Sequence, residues 1–535
     1  MRSLQQALAT RRLTPFPGRN LDRKLIEQNL TPLLGESADP VAAGYHLRQL
    51  AEGGPQQAVP LLAALAADPD AIAKSDPAIM GGLMHVLHTL FLKAPPAETA
   101  QTLASFDPSL ILTVEASLPD QTPNRHLLLH LLAMIRTPVS LHALVAVLID
   151  RPPQQWIQAG QVLSPLMQHN DWPVDSFFPD SLQCLIHPPL AAPLLDLANY
   201  LTRQGRVEEH PAAHQLDALN HLLGEVSGRL GKFEENPRTF GTDVDVVQKT
   251  LGEAVALAVS LCDAVGLIGE ESSIGKLNQT VELRHRRVQC EAAGALARLG
   301  EDTGQKRLIE LSADPAARLR AIQYADELGF AESIEEEFRS DNATAEAELA
   351  LWLSQPQQMG VPPTGIEVID TRRMLWPSFH NPVDVFLLRF EYNFGDRNYS
   401  NVGIAGPVTH TMSADVADLK IDDIYSIYAG WHAEHDDIFA VSSDQFNEVQ
   451  HRTMEPYQQH LQHLGYAEIK AELLGFLLDE KAGIFSAVRD NTQCIVVTDG
   501  LETIDLPTAG RQRPVGPGDL FNLYKGRKML RTFNS

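Results

Sequence analysis

The chain is poor in cysteine and in positive charge, and both deficits narrow the range of functions. Among 535 residues there are four cysteines, Cys184, Cys262, Cys290 and Cys494, and no two of them have a Cys-x-x-Cys spacing. Scattered cysteines of this kind favour a reducing compartment. Lysine and arginine total 43 against 68 acidic residues, which gives a formal charge of −25. Such a chain is a poor generic binder of nucleic acid, and basic partners suit it better than acidic ones.

Long hydrophobic runs are also missing where a leader or a membrane anchor would need them. Residues 1–20 have no apolar core of signal-peptide length. The richest apolar runs, 127–135 and 141–149, are too short to span a bilayer, and a polar break with a proline separates them. These features predict a cytoplasmic protein with no membrane partner.

Recognisable catalytic motifs are equally scarce. The segment Gly403-Ile-Ala-Gly406 has two glycines of a phosphate loop but lacks its Gly-Lys-Ser/Thr ending, so a tight turn beside a strand is the better interpretation. No Gly-x-Ser-x-Gly elbow occurs in the chain. Cys494 precedes the apolar residues 495–497 with no base nearby in sequence, which indicates a core cysteine and not a nucleophile.

The clearest positive signal is a repeated helix pattern over residues 288–329. Two copies end in Gly300 and Gly329, 29 residues apart, and their apolar positions step by three and four along one helix face. The stripe is rich in alanine, which allows two helices to approach closely. A glycine suits the left-handed end of each helix, and Asp314-Pro315 suits the start of the next.

These residues resemble the HEAT-like repeats known from phycobilin lyases. The resemblance rests on the pattern Ala-Ala-x-Ala-Leu-x-x-Leu-Gly, on Asp314-Pro315 before the next unit, and on Arg318, at a position where that family prefers arginine. It covers about two units and implies a fold of stacked helical hairpins. It carries no enzymatic activity with it, because fold alone does not fix function.

The repeat is predicted to run through most of the chain. Asp39-Pro40 and Asp68-Pro69 are again 29 residues apart. The predicted fold is an α-solenoid of HEAT-like hairpins followed by an α+β domain with a mainly antiparallel sheet. The expected parts are listed in chain order: an N-terminal arm or cap at 1–30, two solenoid halves at 31–235 and 244–355, a linker at 356–363 and the α+β domain at 364–535.

In the C-terminal part the hydrophobic period changes from helix to strand. Residues 383–394 are aromatic and β-branched, as in a strand, and residues 473–497 indicate an antiparallel meander. Residues 413–436 favour a helix with Ile424, Tyr428 and Trp431 on its buried side. The aromatic, proline-containing segment 376–379 is interpreted either as a recognition loop or as a rigid lead-in to the following strand.

The densest polar cluster lies at the end of that helix. His432, Glu434, His435 and Asp436 are the candidate site residues, since His432, His435 and Asp436 share a helix face at spacings of three and four. A metal site or an acid–base pair is one interpretation. The spacing matches neither His-Glu-x-x-His nor its inverse, so a solvated helix end with no metal and no cofactor is the preferred one.

The sequence therefore supports two candidate functions. The first is a non-catalytic interaction scaffold that holds another protein on the solenoid surface, with the C-terminal module as a second surface. The alternative is an enzyme whose active or metal site lies in the C-terminal domain around His432 and His435. Nucleic acid is a disfavoured partner because of the charge of −25.

Overall fold

The computed structural model describes most of the chain, and its contacts divide the chain into two compact units. The described residues are 23–36, 38–94, 107–119, 121–241, 243–355, 357–395, 397–412, 414–432, 438–477, 480–490, 492–506, 515–516 and 519–520. The first unit ends at Leu308 and the second begins at Ile309. The domain boundaries expected at 235–244 and 356–363 stay predictions.

The first unit is built from helices, which confirms the helical character predicted for the N-terminal part. Its α-helices are α1 Arg23–Leu30, α2 Pro40–Ala51, α3 Ala58–Ala66, α4 Pro69–Ala73, α5 Pro77–Leu92, α6 Ser109–Ser117, α7 His126–Ile135, α8 Pro138–Asp150, α9 Trp156–Gln168, α10 Pro188–Arg203, α11 Leu216–Glu235, α12 Val244–Ile268, α13 Ile274–Thr280 and α14 Arg286–Arg298. Helix α15, Asp302–Ser312, contains the division between the units. A longer 3₁₀ segment, Asp180–Ile186, precedes α10.

The Asp-Pro pairs begin helices as the sequence predicts. The side chains of Asp39, Asp68 and Asp76 each accept a hydrogen bond from a backbone N–H in the first turn of the helix that follows. The proline after each aspartate occupies the first turn, where no backbone hydrogen bond is lost. The same cap recurs at Asp314, which accepts from the N–H of Ala316 at 3.0 Å.

Glycine has two distinct uses in the repeat. Gly300 and Gly329 follow helix ends with φ of +85° and +80°, the left-handed conformation that glycine adopts without a steric penalty. Gly266 allows α12 to approach α14 closely, because a Cβ built there would lie 2.8 Å from the Cβ of Ala295. The helix ends at Gly300 and Gly329 were predicted, whereas the close approach at Gly266 was not.

Helices of the first unit pack on their neighbours in an ordered series. One row runs α2, α5, α7, α9, α10, α12 and α14, each helix contacting the next in that order. Shorter runs form beside it: α1 contacts α3, which contacts α6, and α11 contacts α13. The described part of this unit therefore contains a row of helices in which each helix packs on the next.

Helix α12 is longer than the two apolar runs at 127–135 and 141–149. Within the described residues it is the one helix long and apolar enough to cross a bilayer, judged by length and composition alone. Half of its most apolar stretch is buried, and it packs on α10, α11 and α14. A core helix has the same properties, so α12 is weak evidence for a membrane segment.

The second unit begins with the last predicted repeat helices and continues into two sheets. Its later helices are α16 Pro315–Leu328, α17 Asp341–Leu353, α18 Ile421–His432 and α19 Glu448–His463. The first sheet has β1 Gly365–Met374, β2 Val383–Phe394, β3 Arg397–Ala405 and β4 His410–Thr411, and the second has β5 Ile438–Ser442, β6 Ala467–Leu477, β7 Glu480–Arg489, β8 Thr492–Thr498 and β9 Thr503–Leu506. Both sheets are antiparallel with strands in sequence order. The mainly antiparallel C-terminal part is thereby confirmed, although as two sheets.

Some elements were not predicted. The chain between α16 and α17 forms two 3₁₀ turns, Ala331–Ser333 and Glu336–Arg339. Strand β1 was also missed, because Gly365–Met374 mixes charged and apolar residues without regular alternation. Strand β2 was predicted with its observed limits.

Both faces of the first sheet are covered at residues 385–388 of β2, which explains why these four residues are all apolar and buried. Phe386, Leu388 and Phe390 pack on one side against α17, through Leu349 and Leu353. On the other side the sheet shares a core with α18 and with residues of the second sheet, whose far face is covered by α19. Helix α18 therefore lies in the core between the two sheets, and its C-terminal end carries His432.

Candidate tryptophan–histidine site

His432, the first of the predicted site residues, is held by a tryptophan. Trp376 lies between β1 and β2 and is 2% exposed. Its indole Nε1–H donates to Nδ1 of His432 over 2.9 Å. Since an indole N–H can only donate, Nδ1 of His432 must present its lone pair. The neutral ring therefore carries its proton on Nε2.

This tautomer limits the chemistry that His432 can perform. Metal binding through Nδ1 or proton abstraction by Nδ1 requires the lone pair that the indole already occupies. Metal binding through Nε2 would place the ring proton on Nδ1, opposite the Trp376 N–H. Either role thus requires that the Trp376–His432 hydrogen bond be broken.

Replacement of Trp376 by phenylalanine is expected to release this tautomer while the aromatic volume is largely kept. The ¹⁵N shifts of the His432 ring should move from an Nε2–H pattern towards a mixture, because no donor then selects Nδ1 as the acceptor. Long-range ¹H–¹⁵N spectra of histidine-labelled protein measure this change. Phe379→Leu, in the same turn, is the control and should leave the ring unchanged; an unaltered spectrum in Trp376→Phe would contradict the assignment.

The other predicted site residues, Glu434, His435 and Asp436, lie outside the described residues. Whether they share a face with His432 therefore stays a prediction. Within the described part of the chain, no group of three or more histidine, cysteine, aspartate or glutamate side chains has the arrangement of a metal site.

A second histidine, which the sequence analysis did not select, lies beside His432. His410 begins β4, and its ring stacks on Trp431 with centroids 3.7 Å apart and planes 3° apart. The ring of Trp352 from α17 meets the edge of His410 at 5.4 Å. Burial lowers the pKa of His410 below its ordinary value, which favours the neutral imidazole against the indole.

Trp431 was predicted on the buried side of its helix, and this prediction was wrong. The neighbouring predicted positions Ile424 and Tyr428 are buried, but Trp431 is 44% exposed. The nearby turn also exposes Leu375 and Phe379. We refer to Trp431, His410, Trp352, Trp376 and His432 as the tryptophan–histidine cluster, which contains three of the five tryptophans of the chain.

The turn that carries Trp376 has an uncommon backbone. Ser378 has φ of +69°, a conformation that costs a non-glycine residue free energy. The turn is closed by a hydrogen bond of 3.0 Å from the N–H of Phe379 to the carbonyl of Trp376. Residues 376–379 are thus a tight turn whose tryptophan is buried and whose phenylalanine is exposed.

A half-buried carboxylate lies on the same helix as Trp352. Glu348 precedes Trp352 by one turn of α17, so the two side chains share a face. Burial raises the pKa of Glu348, and a hydrogen bond from the backbone N–H of Gly406 opposes part of this rise. Gly406 has φ of +110° and follows the end of β3, so of the turn predicted at 403–406 only this last residue lies outside the strand.

Sequence reasoning could not have assembled this cluster. Its members come from α17, the turn after β1, β4 and the end of α18, which are far apart in the chain. The only local signals were the aromatic segment 376–379 and the pair Trp431-His432. The contact between these two was not predictable from spacing.

The cysteines do not supply a reactive thiol to any site. Cys184, Cys262 and Cys290 are buried, and Cys494 is half-buried. Burial raises the pKa of Cys184 to about 11 and also raises the pKa of Cys494. Both thiols are therefore protonated at neutral pH, which agrees with the interpretation of Cys494 as a core cysteine.

The first unit has its own buried polar network, at the contact of α10 and α12. Asp196 accepts a hydrogen bond of 2.7 Å from the Ser260 hydroxyl, and Asn199 donates to the Ser260 carbonyl at 3.1 Å. Burial raises the pKa of Asp196 to about 6. His210 bonds the Asn199 amide oxygen at 2.9 Å. These groups are satisfied by one another, as expected of a structural network.

Comparison with known proteins adds no relative to this description. No protein-family model, curated protein or solved structure matches the chain.

Proposed function

We propose that the chain is a non-catalytic interaction scaffold whose N-terminal part is a HEAT-like α-solenoid and whose α+β part provides a second binding surface. The ordered row of helices from α2 to α14 supports the solenoid, since each helix contacts the next one along the row. The alanine- and glycine-mediated contact of α12 with α14 supports the HEAT-like resemblance.

The observation that carries the binding role is a group of exposed apolar side chains on α8. The buried side of this helix is formed by Leu141, Leu144 and Leu148. On the opposite side Val139, Ala146 and Ile149 are exposed on one face, which also carries the exposed His142 and Asp150. Exposed valine and isoleucine on one helix face favour contact with another surface, so a partner protein is the proposed cover.

The properties of His432 support a scaffold over the alternative enzyme. Its Nδ1 is engaged by Trp376, and catalysis or metal binding there requires loss of that bond. The charge of −25 supports a protein partner over nucleic acid. A cytoplasmic location remains part of this proposal.

The proposal predicts that Val139→Asp weakens capture of a specific partner by the full-length protein at least about tenfold. The physical reason is that a carboxylate added within an apolar contact is costly to desolvate. Affinity capture from the source cells, quantified by mass spectrometry, identifies proteins bound by the unaltered chain and lost in the variant.

Val449→Asp is a matched control for this experiment. Val449 is 70% exposed and Val139 is 68% exposed, and each is the second residue of its helix. A protein lost with Val139→Asp and kept with Val449→Asp supports the α8 surface. If both variants retain every protein that the unaltered chain captures, the α8 surface is not the binding site.

A further inference from the structure

The indole of Trp431 is only partly covered. Its ring is covered on one face by His410 at 3.7 Å, yet the residue is 44% exposed. The exposed part therefore lies outside the face that His410 covers. Leu375 and Phe379, next to the Trp376 that bonds His432, add exposed apolar surface nearby. A large exposed aromatic with an apolar surround is typical of a binding site.

The chain already uses arginine to cover aromatic rings elsewhere in the second unit. Arg372 lies over Tyr425 at 4.8 Å, and Arg489 lies over Tyr466 at 4.9 Å. Among the described residues no arginine or lysine lies over the ring of Trp431. Indole binds cations most strongly of the aromatic side chains, because its π-face carries the largest negative potential.

Charge favours a cation at this surface over an anion or a neutral ring. The whole chain has a formal charge of −25. On α17, one turn from the Trp352 that touches His410, Glu348 is a half-buried carboxylate, and no ion pair with it occurs among the described residues. A guanidinium combines positive charge with a flat surface that stacks on indole, and its alkyl chain can cover nearby apolar groups.

We propose that Trp431 is the anchor for an arginine side chain in a basic segment of a partner protein. This inference rests on the proposed scaffold function and specifies what its second surface recognises. Arginine would stack on the open face of Trp431, opposite His410. The role of His410 is then to hold the indole in place as a neutral stacking partner.

The test uses full-length protein and a fluorescent, capped peptide of alternating arginine and glycine. Binding is measured by fluorescence anisotropy at low salt. A peptide with citrulline in place of arginine keeps the flat side chain but removes its charge. We expect the arginine peptide to bind at least about tenfold more tightly than the citrulline peptide.

Variants then locate the site. Trp431→Leu should weaken the arginine peptide about tenfold, and Trp431→Phe should weaken it less because a π-face remains. Trp156→Leu, which removes a partly exposed tryptophan of the first unit, should change nothing. Circular dichroism melting of each variant checks that the fold is kept, and Trp431→Phe preserves the test if the leucine variant is unstable.

Three results would overturn the proposal. Equal binding of the citrulline and arginine peptides would mean that charge is not recognised. Equal binding by the unaltered chain and by Trp431→Leu and Trp431→Phe would mean that the general acidity of the protein suffices. Absence of any arginine-peptide binding would remove the site. Val139→Asp should leave binding of the arginine peptide intact. The arginine site on Trp431 and the partner surface on α8 can therefore be refuted independently of each other.

Discussion

Replacing Arg318 with alanine is expected to lower the free energy of unfolding of residues 312–346 by about 4 kcal/mol, the usual cost of breaking a buried ion pair. The side chain is buried, with the residue 3% exposed. It donates to the carbonyls of Ser312, Ala313 and Ala343 at 2.9, 3.1 and 2.8 Å, and to the Glu346 carboxylate at 2.9 Å. All four acceptors would lose a charged donor at once.

The position of these acceptors explains why arginine is required. Ser312 is the last residue of α15 and Ala313 follows it, at the end of the helix where the carbonyls have no partner in the helix itself and carry partial negative charge. One planar guanidinium reaches these carbonyls and the first turns of α17 together. A lysine has a single ammonium and cannot replace this fork, so Arg318→Lys should retain only part of the stability.

Hydrogen–deuterium exchange of peptides from residues 309–353 measures this loss locally, which matters because a chain of two units need not unfold in one step. Arg452→Ala is the control. Arg452 forms an exposed pair with Glu448 one turn away, worth less than about 0.5 kcal/mol. An Arg318→Ala variant with protection equal to that of Arg452→Ala would contradict the proposed role.

Mild acid is expected to destabilise the first unit through a pair of histidines. His88 on α5 and His130 on α7 are bonded Nε2 to Nδ1 at 3.1 Å. Burial, together with His130, His85 and His126, lowers the pKa of His88 to about 3. Burial and His126 lower the pKa of His130 to about 4.

The direction of the pH effect on stability follows from the number of protons that the folded and the unfolded chain bind. In the unfolded chain both rings titrate near 6.5, whereas in the folded chain they stay neutral until about pH 4 for His130 and about pH 3 for His88. Between these values the unfolded state binds more protons, so stability falls as the pH falls. From pH 7 to pH 5 the pair should remove about 3 kcal/mol, after allowance for the partial exposure of the rings.

Exchange protection of α5 and α7, corrected for intrinsic rates, measures this acid effect. The double variant His88→Leu with His130→Leu removes both titrating groups and should lose less protection between pH 7 and pH 5. It should retain part of the effect, because burial also lowers the pKa of His210 to about 4. His142→Leu, which replaces an exposed histidine, is the control. If the double variant loses as much protection in acid as the unaltered chain, the role of the His88–His130 pair is refuted.

Much of the helical part was predictable because its signals are local. The Asp-Pro pairs act within one helical turn, and the left-handed Gly300 and Gly329 end the helices that precede them. Arg318 was noted only through the resemblance to HEAT-like repeats. Its four acceptors lie up to 28 residues away, so its physical role became apparent only from the structure.

Only fragments of the candidate site were predictable, because its contacts join residues that are far apart in the sequence. His432 was selected for its spacing to His435 and Asp436, but its described partner is Trp376, 56 residues earlier. Trp431 was assigned to the buried face by helical period, and that period holds until the last turn of α18, where the core ends. The contact of His410 with Trp431 arises from the placement of β4 beside that turn, which no periodicity in either segment encodes.

The packing of α17 has a practical consequence for dividing the protein into fragments. By sequence this helix is the last of the helical region, but Leu349 and Leu353 form a core with Phe386, Leu388 and other residues of the first sheet. A recombinant fragment that starts after α17 would leave that aromatic sheet face bare to water and prone to aggregation. Any fragment meant to carry the tryptophan–histidine cluster should therefore start before residue 341.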